Sequence, residues 1–394
     1  MSGGPRHRPC PLCDQVRPRS LRVMRLVQPS GSPLPEHYDL VACDDCDFAY
    51  ADTPARQTDY DRYYATCAKY AAGSASGSGA GDSDNRRLAD AAARLAPWLS
   101  RPDAPWLDLG CGQGGLLAAL ARRGFTGGQG LDPDPDCVAL GARAGLRIRT
   151  GTLEAVGRLF GEERFELIVL SHVAEHLRDL DRLAALRERL APGGRLYVEV
   201  PDAGRYGEYP RTPFYYVDSE HINHFGPLAL QRLVRRLGLS PVALERFSLP
   251  LDDGGGYPAL AVIAAAEGDS AWAEPEAVAA LEAYLRDSER SARVRIEPPL
   301  PAARGVLVWG AGSMAQRLLG LGAFEGLGVL AFLDNDPNKQ GRRLAGYPIL
   351  APVAGLVAHP HAPLLICAAV EHRQIEDQCR ALGPATSRSI HRIE

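Results

Sequence analysis

Short β-branched and Leu-rich runs alternate with longer amphipathic stretches twice along the chain, first from Trp106 to Pro201 and again from Gly305 to the C-terminus. Strand-length apolar runs separated by segments of helical period predict two α/β units with mainly parallel sheets. The pattern is interrupted by Ala71–Asp84, AAGSASGSGAGDSD, a Gly/Ser/Ala stretch that buries too little surface to offset the cost of ordering its backbone and reads as a flexible linker. Further breaks fall near Glu267–Glu276 and, after one helical segment, at Glu297–Pro301. Three units are expected: 1–72, 85–266 and 275–394. Apart from the loose doubling of two Rossmann-like patterns there is no repeat of fixed period.

Length agrees with this division, since 394 residues exceed one ordinary core of roughly 100–200 residues. The hydrophobic fraction of 45% and charged fraction of 23% are those of a globular chain. A net charge of -4 supplies no basic field for a phosphate backbone, so a small-molecule partner is expected rather than nucleic acid. No apolar run reaches the roughly 18 residues of a membrane span, and MSGGPRHRPCPLC lacks the apolar stretch of a signal peptide, so a cytoplasmic protein is expected.

Nine cysteines, four of them in two close pairs, do not suggest a secreted disulfide framework. Cys10-Pro-Leu-Cys13 and Cys43-Asp-Asp-Cys46 form two CxxC knuckles separated by residues 14–42. Each turn can aim two thiolates at one point, and four complete a zinc tetrahedron with no position left for substrate, which makes the expected Zn2+ structural. The alternatives are two surface disulfides or four free thiols. Cys67, Cys111, Cys137, Cys367 and Cys379 have no partner at ligand spacing and read as buried residues.

Trp106-Leu-Asp-Leu-Gly-Cys-Gly-Gln-Gly-Gly115 is a strand running into a glycine-rich turn, followed by the helical segment Leu116–Arg123. Gly110, Gly112 and Gly114 allow a tight turn and close approach of a ligand, and helix N-terminal amides can receive its carboxylate. The next strand ends at Asp132, about 20 residues on, where a carboxylate can accept both ribose hydroxyls. The alternative role for Asp132 is to cap the following helix.

DLGCGQG, GLDPD, FELIVLSHVAEHL and LAPGGRLYVEVPD in this order resemble the class I methyltransferases, over about 180 residues. The resemblance implies S-adenosylmethionine as cofactor. It places Asp108 and Gly110–Gly114 at the methionine end, Asp132 at the ribose, Thr152, Leu153 and Glu154 at the adenine edge, and His172 bordering the cofactor. His172 and His176 share one helical face, as metal ligands can, or serve in packing and capping.

Beyond the fifth strand lies Phe214-Tyr-Tyr-Val-Asp-Ser-Glu-His-Ile-Asn-His-Phe225, an aromatic and titratable loop where chemistry is expected. A sulfonium methyl is already activated, so the enzyme must align a nucleophile and remove its proton, which histidine can do near neutral pH. His221 beside Glu220 is the favoured base and His224 the second choice; the bland alternative is that they stitch the loop to the core.

This cluster, the CxxC pairs and the C-terminal unit together resemble the three-domain sugar C-methyltransferases acting on nucleotide-linked ketosugars. The resemblance implies an α/β fold with a Rossmann-like class I methyltransferase core, an N-terminal zinc-binding module and a C-terminal Rossmann-like domain forming a substrate cleft. It assigns Glu220 and His221 to the active site, with the histidine forming an enolate. The family's tyrosine two residues before the pair is Asp218 here, for which Tyr215 or Tyr216 can substitute. Tyr60, Tyr63, Tyr64 and Tyr70 can close over substrate or pack an interface. O-methylation of a hydroxyl competes with C-methylation.

Val306-Leu-Val-Trp-Gly-Ala-Gly-Ser-Met-Ala315 is a second strand and glycine turn, with Asp334 at the end of the next strand. It suits an NAD(P)-dependent oxidoreductase domain, a nucleotide-holding unit, or a scaffold. Where the family carries a lysine in this loop, Gln316 and Arg317 stand here.

Overall fold

A computed structural model of the chain describes residues 6–65, 82–268, 273–291, 296–297, 305–369, 372–382 and 388–393. Cys67, Tyr70, linker residues 71–81 and the proline-rich residues 298–301 lie outside the described residues. The chain forms two compact units. One comprises Met1–Arg22, Asp39–Tyr209 and Glu220–Leu281, the other Val23–Tyr38, Pro210–Ser219 and Glu282–Glu394. The cysteine-bearing segment therefore joins the central segment instead of standing alone, as a module of about 60 residues gains little interior by itself. Leu12, Val41, Phe48 and Tyr50 share one core with Leu170, Val200, Phe225 and Leu233.

In the first unit the strands are β1 (Arg19–Arg25), β2 (His37–Cys43), β3 (Phe48–Asp52), β4 (Trp106–Leu109), β5 (Gly128–Asp132), β6 (Ile148–Thr150), β7 (Phe165–Ser171), β8 (Leu190–Pro201), β9 (Asn223–His224), β10 (Ser240–Pro250) and β11 (Gly256–Ala265), the ends of β1 and β2 reaching into the second unit's segment. Seven make a sheet of order β10-β11-β8-β7-β4-β5-β6. The strands β4 to β8 run parallel, and the β10–β11 hairpin closes the β8 edge antiparallel. All four residues of β4 are buried, Asp108 among them, which is why this strand reads as one apolar run with a single acid. The crevice at the carboxyl ends of β4 and β7, where chain order reverses, is the expected ligand position of such a sheet.

A four-stranded sheet of order β1-β2-β3-β9 brings the loop after β8 back to the cysteine-bearing segment, pairing Ala49 with His224 and Tyr50 with Asn223. Arg8, 5% exposed, secures this return. Its guanidinium donates to the carbonyls of Ala51, Arg178 and Ile222 and to Asn223 Oδ1, at 2.7–3.1 Å. Asp47 follows the second CxxC in the left-handed region, at φ 50°. Its carboxylate accepts from the amides of Glu276, Ala277 and Val278 at 2.8–2.9 Å, capping the helix Ala277–Arg290. Such a cap contributes about 1–2 kcal/mol.

The second unit holds β12 (Ile296–Glu297), β13 (Val306–Trp309), β14 (Val329–Leu333), β15 (Arg343–Leu344), β16 (Tyr347–Leu350), β17 (Leu364–Ile366) and β18 (Ile390–Ile393), in the order β12-β18-β17-β13-β14-β16-β15. Val308, Phe332 and Leu365 pack on one face; Leu307, Trp309, Leu333 and Ile366 pack on the other. Burial on both faces accounts for the unbroken apolar run VLVW. The switch point of this sheet lies between β13 and β17.

Candidate active site

The turn after β4 holds Gly110 at φ 72°, where a Cβ would stand 2.7 Å from Val173 Cγ2, and Gly112 at φ 53° with no atom within 4 Å of a Cβ. Both need the left-handed backbone that glycine adopts without strain, and the second faces open space where a ligand can approach. Asp132 is tied to this turn, its Oδ2 accepting from the Gly112 amide at 2.7 Å and its Oδ1 from the Asp134 amide at 2.9 Å.

Asp108 and Asp132 are 3% and 8% exposed, and among the described residues neither forms an ion pair. Burial pushes Asp108 up to about 8, with Asp132 and Glu199 adding to the shift and Arg87 opposing it. Burial also raises Asp132, against the two amides that it accepts from and with Asp134 adding to the rise. Two buried acids that form no ion pair among the described residues favour a positively charged ligand over an anion in this crevice. The residues that the resemblance assigns to the adenine edge follow β6: Leu153 is half-buried, while Glu154 is exposed and paired with Arg182.

His172 directly follows β7, in the left-handed region at φ 56°. Its Nδ1 stands 3.0 Å from Glu175 Oε1 and its Nε2 3.3 Å from Glu199 Oε1. Burial lowers its pKa, but the hydrogen bond that it donates to Glu175 and the close carboxylates of Glu175 and Glu199 outweigh that and bring it up to about 9. Burial raises Glu199, but His172, Tyr197 and Arg94 outweigh it and hold the acid at about 2. His172 is thus an imidazolium clamped between carboxylates, not a base at neutral pH. Glu175 and Glu199 carry no local sequence signal beyond an acid inside an apolar stretch, and sequence reasoning did not assign them a role.

His176, by contrast, is pushed down by burial and by neighbouring His221, against the charges of Glu175 and Glu220, and is neutral near pH 7. Its Nδ1 lies 2.8 Å from the Tyr64 hydroxyl and 3.0 Å from the Glu220 carbonyl. The His221 ring is 5.0 Å from the His176 ring, and the Tyr63 hydroxyl donates to Glu220 Oε1 at 2.9 Å. Ligating atoms of Glu175, His176 and His221 lie within 4.8 Å of one another, and Glu175, fully buried, leaves Oε2 without a hydrogen bond. The structure therefore brings Glu220, His221, His176, Tyr63 and Tyr64 together, the tyrosines coming from the helix Gln57–Ala65. His224 sits elsewhere: it is a β9 residue, 1% exposed, with Nδ1 3.3 Å from the Tyr206 hydroxyl. Tyr60 is 1% exposed, and Tyr216 belongs to an aromatic group with Tyr215 and Tyr284 in the second unit.

The thiols of Cys10, Cys13, Cys43 and Cys46 lie within 4.8 Å of one another, with Cys13 and Cys43 sulfurs 3.5 Å apart. A tetrahedron with metal–sulfur bonds of about 2.3 Å has edges of about 3.8 Å, so the donor set fits one ion, and the spacing is too wide for a disulfide. Asp14 and Asp47, one after each CxxC, have φ 61° and φ 50°, so both knuckles turn alike. Cys111, Cys137, Cys367 and Cys379 are buried.

Residues 82–244 match the family described as a methyltransferase domain. The trans-aconitate 2-methyltransferase of Streptomyces avermitilis is 38% identical over 126 residues, covering 29% of this chain and 45% of that protein. A ribosomal-protein methyltransferase of Desulforapulum autotrophicum is 33% identical over 103 residues, covering 24% and 32%. The chain thus spans under half the length of both curated relatives. A SAM-dependent methyltransferase structure from Archaeoglobus fulgidus aligns with 45% of this chain and 93% of its own, at 19% identity and a TM-score of 0.36. The family match and the strand order together make the central segment an α/β Rossmann-like methyltransferase core.

Proposed function

We propose that this chain is an S-adenosylmethionine-dependent methyltransferase that methylates the carbon beside the ketone of a nucleotide-linked sugar. The observation that carries the first half is the pair Asp108 and Asp132, buried at the glycine turn and, among the described residues, without an ion pair. When bound, S-adenosylmethionine supplies a methyl group made electrophilic by its sulfonium. Asp108 would take the ammonium of the methionine end, Asp132 would accept from the ribose hydroxyls, and the turn amides would receive the carboxylate.

The cluster on the loop after β8 supports the second half. His172, held protonated, cannot accept a proton, whereas the neighbouring His176 is neutral. His221 removes the proton next to the ketone, and Glu220 and Tyr63, hydrogen-bonded to each other, hold the rim of the site. Tyr64 fixes His176, and with Tyr63 it takes up the enolate-side positions for which Asp218 has no suitable group. The abstracted proton would stay on the histidine, and the methyl that S-adenosylmethionine would supply would pass to the enolate carbon, with the sulfur leaving as the thioether. Four thiolates, Cys10, Cys13, Cys43 and Cys46, would hold a zinc ion, which would order the segment that carries Arg8 and the two tyrosines.

O-methylation is the alternative, since the same histidine can deprotonate a hydroxyl. The NAD-dependent alternative draws no support from Asp334, on which Lys339 Nζ sits at 3.2 Å. The experiment is NMR of a nucleotide-linked ketosugar incubated with the protein in D2O, once with S-adenosylhomocysteine to read hydrogen exchange and once with S-adenosylmethionine to read the methylated product. C-methylation predicts exchange of the hydrogen beside the ketone. His221→Asn should slow that exchange and turnover by about a hundredfold or more while cofactor affinity persists. A methyl ether formed without exchange establishes the O-methyl alternative; unchanged turnover in His221→Asn removes that residue from the mechanism.

A further inference from the structure

The described residues hold two groups of metal-ligating side chains: the four cysteines, and a second set made of Glu175, His176 and His221. The second set contains no thiolate. Glu175 and His176 belong to the single turn Ala174–His176 beyond β7. The segment that carries His221 is stitched to this turn. The Ile222 amide donates to the Glu175 carbonyl at 2.9 Å, and Asn223 Nδ2 donates to the carbonyls of Ala174 and Leu177 at 2.9 and 2.6 Å. The backbone therefore holds the three groups at one place before any ligand arrives.

Two of the groups are also oriented from behind. The Glu220 carbonyl, 3.0 Å from His176 Nδ1, can only accept, and the Tyr64 hydroxyl at 2.8 Å can accept too. Both fit a hydrogen on Nδ1, which leaves the lone pair on Nε2, the nitrogen 3.9 Å from Glu175 Oε1. A ring N–H given to a backbone carbonyl is the usual outer contact of a metal-bound imidazole. Glu175 is 0% exposed; its Oε1 accepts from His172 at 3.0 Å, while Oε2 has no hydrogen bond. A buried carboxylate oxygen without a donor is a group that a cation satisfies. His176 and His221 are half-buried, which leaves an ion a way in. Metal bonds of about 2.0–2.2 Å set neighbouring ligand atoms about 3–3.5 Å apart, and atoms all within 4.8 Å of one another reach that spacing by small side-chain rotations. Two imidazoles and one carboxylate suit zinc, cobalt or nickel better than magnesium or calcium.

We propose that Glu175, His176 and His221 bind one divalent transition-metal ion, zinc above all, and that the enzyme is switched off while this ion is bound. Binding stands on the three side chains alone. Inhibition rests on the reading of His221 as the base, because a ring nitrogen that gives its lone pair to a metal cannot accept a proton. Three protein ligands leave a coordination position open, unlike the closed set of four thiolates, so this ion exchanges while the structural one stays.

The test starts from the full chain carrying one zinc and titrates it with cobalt(II). One further ion should bind per chain and show the ligand-field bands of a nitrogen and oxygen site, without the charge-transfer band of cobalt on thiolates. Magnesium should not compete. His176→Gln and Glu175→Gln should each weaken the second ion at least about a hundredfold, while circular dichroism and retention of the first zinc report that the chain is folded. Turnover of the ketosugar with S-adenosylmethionine should fall at least about tenfold as the second ion saturates, and recover when a mild chelator such as citrate removes it. The cobalt titration needs no substrate, so a chain without turnover sinks the ketosugar reading while the spectrum still decides the site. Failure to bind a second ion, a charge-transfer band that puts it on the cysteines, equal affinity in His176→Gln, or turnover undiminished at saturation overturns the proposal.

Discussion

The two Rossmann-like sheets repeat one construction and invert its charge. In both, a buried strand runs into a glycine turn whose first amide donates to the end of the next strand, Gly110 to Leu131 and Gly310 to Leu333, each at 2.8 Å. In both, the acid that ends this strand accepts from the turn and from the residue two positions on. Asp132 takes the amides of Gly112 and Asp134; Asp334 takes those of Ala311 and Asp336 at 2.9 Å. The difference lies in what surrounds this frame. The first turn follows Asp108, and among the described residues neither of its acids forms an ion pair; the second follows Val308, has Lys339 on its acid, and among the described residues leaves the buried Arg317 without an ion pair. The backbone frame is therefore generic, and a few side chains decide whether the crevice receives a cation or an anion.

Making the first turn resemble the second should have the largest effect. Asp108→Val removes the acid facing the donor's ammonium and should weaken S-adenosylmethionine binding by about 2–4 kcal/mol, measured by calorimetry. It should also stabilise the free chain at pH 9, where the buried carboxylate, shifted up to about 8, is ionised without a partner. Unchanged affinity would mean that the acid is only a structural oddity of the strand.

A second effect, of intermediate size, concerns the histidine clamp, which has no counterpart around the second turn among the described residues. The folded pKa of His172 is raised to about 9. Its contribution is therefore complete below its unfolded value of about 6.5 and is lost as pH rises through about 9. Glu199, held at about 2, contributes fully above about 4.5 and loses its contribution as pH falls toward 2. His172→Asn should reduce stability at pH 6 by about 1–3 kcal/mol and by less at pH 10, read from urea unfolding. A loss of equal size at both pH values would show that the ring packs there uncharged.

The smallest expected change is at Lys339, whose ammonium is 26% exposed. Lys339→Met should cost no more than about 1 kcal/mol of stability. It frees Asp334, so any response to NAD in a melting assay should be stronger in the variant than in the parent.

Strand, glycine turn and acid were legible in both units because their signals are local: an apolar run, a residue type that tolerates positive φ, and an acid about 20 residues on. The four cysteines were legible for the same reason. What stayed hidden is held by residues far apart in the chain. Glu199 reaches His172 across neighbouring strands, Tyr63 meets Glu220 from the cysteine-bearing segment, and Asp47 caps a helix that begins at Ala277. None has a period or spacing to betray it. The expected independence of the N-terminal module shares this cause, since its core closes only against Phe225 and its neighbours. Of the titratable residues in the Phe214–Phe225 loop, composition did not reveal that His224 would be enclosed between β3 and Tyr206 while His221 meets His176.

The most direct measurement is calorimetry of S-adenosylmethionine binding to the zinc-loaded chain at pH 7, in two buffers of different ionisation heat. A buried acid shifted up to about 8 must ionise to meet a cation, so one donor should bind per chain with net proton release, and the release should vanish in Asp108→Asn. Binding without proton release, or no binding at all, would contradict the assignment of the first turn as a cation-receiving site.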